Sequence, residues 1–184
     1  AYIYYPFGAP MGEGAAVDVK NRSHEISAEV EIPEQGAEGV LLAHGGRYGG
    51  YSFYVKDEKL HYVHNFLNLE RYTISSDIAL SRGPCVLTYR FEKTGSETIG
   101  AGGIGRIFIN DRQVAEGEIP RTIGVRYHLA DDGLCCGYDG QTPTTEAYRS
   151  PFRFTGILNR VVVTTEGERN DDEELRLKIA KARQ

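Results

Sequence analysis

The chain has 184 residues, 40% of them hydrophobic, enough for one domain with an enclosed core. Its formal charge is -5 and its pI near 5.6, and its Lys and Arg are scattered, which excludes the basic footprint of a nucleic-acid binder. No apolar run approaches the length that spans a bilayer, and 22 Gly with 12 Tyr and no Trp suit an all-β domain with many tight turns.

Residues 1–20 begin irregularly, with Pro6 and Pro10, and an edge strand is predicted over 15–19. The opening AYIYYP carries no initiator Met and no signal-like segment, and reads as a piece of a longer protein or a mature product. The clearest strand is 23–32. Ile26, Ala28, Val30 and Ile32 share one face, while Glu25, Ser27, Glu29 and Glu31 share the other. The three carboxylates predict a face that meets water or basic side chains and resists edge-to-edge pairing. Pro33 ends the strand, and 34–38 turn about Gly36. Residues 39–44 form a short apolar strand, open to burial on both faces. Gly45, Gly46, Gly49 and Gly50 then surround Arg47 and Tyr48 in a loop.

Residues 52–56 and 59–66 read as a hairpin across Asp57-Glu58. Strands are further predicted at 71–75, 85–93, 106–110, 113–118, 125–129, 134–138 and 152–165, with a compact turn at Asp111-Arg112. Cys85, Leu87, Tyr89 and Phe91 share a face, and Val30 and Ile109 are expected in the core. So many strands exceed one open sheet and predict two stacked ones. The tail is different. Asn170 with Glu173 resembles a capping box, acidic residues open the segment and Lys178, Lys181 and Arg183 close it. This predicts a sandwich over 1–167 and a charged tail over 168–184 with a short C-terminal helix.

Candidate chemistry is thin. Gly100, Gly102 and Gly105 match G-x-G-x-x-G, but no buried strand precedes them and a strand pattern follows, so a turn is the better reading than a dinucleotide site. Asp131, Asp132 and Asp139 flank a short strand and are weak candidates for a Ca2+ loop, against ordinary Asx turns. His61 and His64 are three apart in a strand and face opposite sides, so one zinc ion cannot take both, though His44 could approach one of them. Ser23-His24 is only an adjacent pair, and Glu25, Glu29 and Glu31 lack the aromatic groove of a glycosidase. Cys85, Cys135 and Cys136 make no disulfide framework; reduced thiols and a cytoplasmic setting are expected. What remains is a set of loop residues, Arg47, Tyr48, Tyr51, Asn65, Asn68, Arg71 and Tyr72, that could line a groove. Tyr faces stack on sugar rings, and Arg and Asn bond hydroxyls or anions.

The segments NRSHEISAEVEIP, GAEGVLLAHGGRYGGYSFYVKDEKLHYVHNF, FINDRQVAEGEIP and YRSPFRFTGILNRVVV resemble the C-terminal β-domain of large bacterial arylsulfatases, over residues 2–165. The resemblance implies a concanavalin- or laminin-G-like jelly-roll sandwich. It also implies a preceding α/β catalytic domain that hydrolyses sulfate esters with formylglycine and a divalent cation such as Ca2+. The family makes its nucleophile from C/S-x-P-x-R. Cys85 is followed by Val86-Leu87-Thr88-Tyr89 and Cys136 by Gly137-Tyr138-Asp139-Gly140, so no catalytic residue or cofactor is expected in this chain. The expected role is a non-catalytic accessory domain that packs on a sulfatase catalytic domain or mediates assembly with further copies. The alternative is a lectin-like carbohydrate-binding module using the 45–72 loops. No nucleic-acid or membrane partner is expected.

Overall fold

A computed structural model describes residues 1–127, 132–140 and 142–166. The predicted C-terminal helix, Asp131 and the end of the strand predicted over 125–129 lie outside the described residues. Two antiparallel sheets face each other. The six-stranded sheet runs in the order β1 (Tyr2–Tyr4), β11 (Ile157–Thr165), β2 (His24–Ile32), β7 (Gly83–Lys93), β8 (Gly103–Ile109), β9 (Arg112–Ile119). The five-stranded sheet runs β10 (Leu134–Cys136), β3 (Gly39–Gly46), β4 (Gly49–Lys56), β5 (Lys59–Phe66), β6 (Glu70–Ser75).

The period-2 pattern of β2 does what alternation dictates. Ile26, Ala28, Val30 and Ile32 point inward with Leu87, Tyr89 and Phe91 of β7, Ile107 of β8, and Val161 and Val163 of β11. They meet Leu42, Tyr51, Phe53, Val55, Leu60 and Tyr62 of the opposite sheet. Burial of these apolar faces is the main force holding the sheets together. Their turns are also local consequences of sequence. Asp57 and Glu58 both take positive φ, 51° and 62°, as a tight two-residue hairpin requires.

The two outer faces differ. On the five-stranded sheet, Val40, Ala43, Tyr54 and Val63 are roofed by Tyr148 and Phe152, so β3 and β4 are buried on both sides. The roof is pinned by Asp139, which is 1% exposed. Its carboxylate accepts from the Gly140 and Thr144 amides at 2.8 and 3.0 Å and from the Tyr148 hydroxyl, while Ser52 shares that hydroxyl at 2.8 Å. The outer face of the six-stranded sheet carries no such roof among the described residues. Its outer carboxylates are paired across strands, Glu25 with Arg90 and Glu29 with Arg160, both at 2.7 Å.

Four local expectations are corrected. Residues 15–19 are not a strand: Ala15 and Ala16 donate to the Gly12 carbonyl in a turn, and the Val17 amide donates to the Tyr4 hydroxyl. Val17 and Val19 are buried, so alternation there reflects packing of a coil. The edge strand is β1. Residues 125–127 are coil, with Val125 72% exposed. The β8–β9 turn is Asn110-Asp111, where Asn110 takes φ 53°, rather than Asp111-Arg112. Finally, β2 is interior, between β11 and β7, so Glu25 and Glu29 serve ion pairs and its carboxylates guard no edge.

Candidate functional site

The β3–β4 and β5–β6 connections meet at one end of the five-stranded sheet, and strand alternation divides the residues predicted there. Tyr51 pairs in register with His44 and His64, and all three face the interior. Tyr51 is 0% exposed, with its ring beside Tyr62 and Tyr127, so it is core and cannot line a groove. Tyr72 pairs with His64 and leans on the same core. Its hydroxyl donates to Glu70, and Arg121 bridges to that carboxylate at 2.9 Å while lying 4.2 Å over the Phe66 ring.

The other predicted residues are brought together by Asn65. Its side chain is fully buried. The amide nitrogen donates to the carbonyls of Arg47 at 2.8 Å and Thr144 at 2.9 Å, and the oxygen accepts from the Asn68 amide at 2.9 Å. Asn68 in turn accepts from Arg71 Nη2 at 2.7 Å. Asn65 is therefore the clasp that joins two hairpin tips and the roof, and not itself a ligand contact. The clasp holds Arg47 and Arg71 on the same rim. Arg71 Nε is buried and has no hydrogen-bond partner among the described residues, a donor that costs free energy until something accepts from it. Arg47 is exposed and lies 5.7 Å from the ring of Tyr48, itself 55% exposed. This rim offers guanidinium donors and one accessible aromatic face.

Behind the rim lies a feature that residue spacing could not reveal. His24, His64, Tyr62, Tyr89, Tyr127 and Lys20 surround a cavity of about 10 Å³ between the sheets. His24 Nδ1 donates to the Arg22 carbonyl at 3.1 Å, leaving Nε2 buried without a partner among the described residues. His64 Nε2 accepts from the Ile123 amide at 3.2 Å, so this ring must be neutral. Neither His44 nitrogen is bonded among the described residues, and its ring packs edge-on to Tyr127 at 4.8 Å. Burial drives all three histidines down, His24 to about 4 and His44 and His64 to about 3; Lys20 lowers His44 further.

The remaining candidates separate. His61 faces the opposite side from His64, as alternation predicts, and bonds Ser75 at 2.7 Å. Asp132 accepts from Thr142 and Asp139 holds the roof, so each carboxylate is spent on its own loop. No group of three His, Cys, Asp or Glu suited to a metal is found among the described residues. Ser23 accepts from the Lys93 amide at 3.0 Å while His24 turns into the core, so the pair forms no nucleophile and base. The three cysteines are free, with Cys135 and Cys136 buried and held up to about 11 and about 12 by that burial. The G-x-G-x-x-G glycines serve packing: a side chain at Gly105 would meet the Tyr89 ring at 2.9 Å, and one at Gly102 the Pro120 carbonyl at 2.3 Å.

No family model matches the chain. No curated protein matches it either. In fold it is similar to mouse laminin α1 chain domains LG4-5, with TM-score 0.53 and 12% identity over 86% of this chain and 38% of that one. A heptameric SAP-like pentraxin from Limulus polyphemus gives TM-score 0.43 and 12% identity over 77% of this chain and 63% of that one. The receptor binding domain of botulinum neurotoxin D gives 0.49 and 7%, over 88% and 38%. This chain thus spans less than two thirds of each of these. The fold is the laminin-G-like jelly-roll sandwich.

Proposed function

We propose that this domain is a non-catalytic carbohydrate-binding module whose rim takes a saccharide bearing an acidic group. The observation that carries this is the pair of Arg47 and Arg71 gathered at the Asn65 clasp, with Arg71 Nε unpartnered among the described residues and the Tyr48 ring exposed beside Arg47. A guanidinium fork suits a carboxylate or sulfate, and a Tyr face suits the apolar side of a sugar ring. The direct test is a glycan panel of neutral, uronic and sulfated oligosaccharides. Binding should favour the acidic members and weaken with salt. Arg71→Ala and Tyr48→Ala should each reduce it about tenfold, the worth of one charged hydrogen bond or ring contact. A flat panel would remove this reading.

A second reading has its own support. Leu67 and Leu69 are 48% and 72% exposed at the β5–β6 tip, beside the rim. Apolar side chains so placed suit a protein neighbour better than a sugar. Together with the arylsulfatase resemblance, they support an accessory role in which this end packs against a sulfate-ester hydrolase domain of the same protein. That neighbour would hold the formylglycine and the divalent cation.

A further inference from the structure

The outer face of the six-stranded sheet, uncovered among the described residues, carries a cleft of about 510 Å³, lined by Glu25, Ser27, Val86, Thr88, Arg90 and Phe108 with Asn110 and Asp111 at its end. The cleft is open to solvent along one side, and its volume is of the order of a small-ligand site. Strand register explains the cleft. Val162, Ser27, Thr88 and Phe108 are successive cross-strand neighbours on β11, β2, β7 and β8. They form an uncharged row running across the strands. The two central residues are small, so the row is lowest at Ser27 and Thr88, whose hydroxyls bond each other at 3.1 Å.

The walls are charged but internally balanced. Arg90 gives Glu25 its Nε at 2.8 Å and its Nη2 at 2.7 Å, and it lies 4.8 Å over the Phe108 ring. Farther along, Arg106 pairs with both Glu92 and Glu116 at 2.7 Å. Arg90 and Glu25 are thereby held rigid, with guanidinium donors and a carboxylate oxygen to spare. At the far end Asn110 Oδ1 accepts from the Val86 amide at 3.0 Å, leaving its NH2 group as a donor.

We propose that this cleft binds a neutral saccharide, at a site distinct from the rim and independent of it. The donors and acceptors alternate at short range around a hydroxyl-lined floor, which matches a ligand whose groups each donate and accept. Val86, 37% exposed, and the Phe108 edge supply apolar contact for ring carbons. The paired charges and the added carboxylate of Asp111 leave no positive field to select a sulfated or nucleic-acid chain.

Amide chemical-shift mapping on the intact chain tests this. The probes are neutral tetrasaccharides of glucose, mannose, galactose and N-acetylglucosamine, with a heparin-derived tetrasaccharide as the acidic probe. At least one neutral probe should shift amides within 25–29, 86–90 and 106–111, with affinity unchanged between low and high salt. Thr88→Val keeps the shape and removes a hydroxyl, and Phe108→Ala opens the wall; each should weaken the neutral probe about tenfold and spare the acidic one. Tyr48→Ala should do the reverse. The cleft inference fails if no neutral probe moves these amides, or if the shifts map to the Arg47 and Arg71 loops. Loss of acidic-probe binding alone would instead count against the rim.

Discussion

His44 is the residue whose chemistry most departs from its surroundings. It is 1% exposed, both ring nitrogens lack partners among the described residues, and Tyr51, Tyr127, Lys20 and, at longer range, Asp18 surround it. Its proton is excluded by burial first and by Lys20 second. The unfolded chain protonates such a histidine near its ordinary value, so below that pH the unfolded state binds more protons than the folded one. Stability is fully present above about pH 6.5 and falls as pH drops toward the folded values of about 4 for His24 and about 3 for His44 and His64. By pH 5 each histidine has withdrawn as much as about 2 kcal/mol. His44→Phe keeps a ring against Tyr127 and removes the titration. Urea midpoints at pH 7.5 and 5 should differ less in the variant than in the parent; equal slopes would show that His44 is not a source of acid sensitivity. At this scale the sequence was partly deceptive. His64 facing away from His61 followed from spacing alone. The burial of Tyr51 did not, because its Gly-rich neighbours read as loop while β4 in fact begins at Gly49; that of Asn65 did not, because it depends on the distant Arg47 and Thr144 carbonyls.

Strands reward the period-2 pattern only where both ends of the pattern are covered. In β8, Ile107 is 0% exposed and Ile109 only half-buried, because Ile109 abuts the Asn110-Asp111 turn. Ile107→Ala should therefore cost about 3–4 kcal/mol and Ile109→Ala clearly less, measured as the difference in denaturant midpoints at fixed slope. Comparable losses would mean that the strand end is better packed than its exposure indicates. The same reasoning explains which elements were legible. β2, β5 and β7 alternate over long runs and were readable to within a residue or two. β1, with three residues, carries too short a pattern to read. The coil at 15–19 imitated a strand because Val17 and Val19 both drop into the core beside Tyr4.

For the whole molecule, the two sheets are unequal partners. One has its outer surface covered by Tyr148 and Phe152, and the other presents cross-strand ion pairs around an open cleft. Exposed pairs of this kind contribute less than about 1 kcal/mol each, so the bare face is free to vary in sequence without unfolding the domain. The two-layer architecture was legible from turn spacing and strand number. The roof was not, since it depends on Asp139 and Tyr148 reaching strands far away in sequence. The rim was half legible: Arg47, Tyr48, Asn68 and Arg71 do gather, but the clasp at Asn65 emerges only from the register of β4 with β5.

The pairing of β1 with β11 has one more consequence. Tyr2 lies opposite Val163 and His24 opposite Thr165, and His24 shares the cavity that backs the rim with His64. Residue 1 and residue 166 therefore depart side by side from the end of the sandwich that carries Arg47 and Tyr48. Any polypeptide tethered at either point is leashed near that mouth, at an effective concentration that short flexible tethers raise to about the millimolar range.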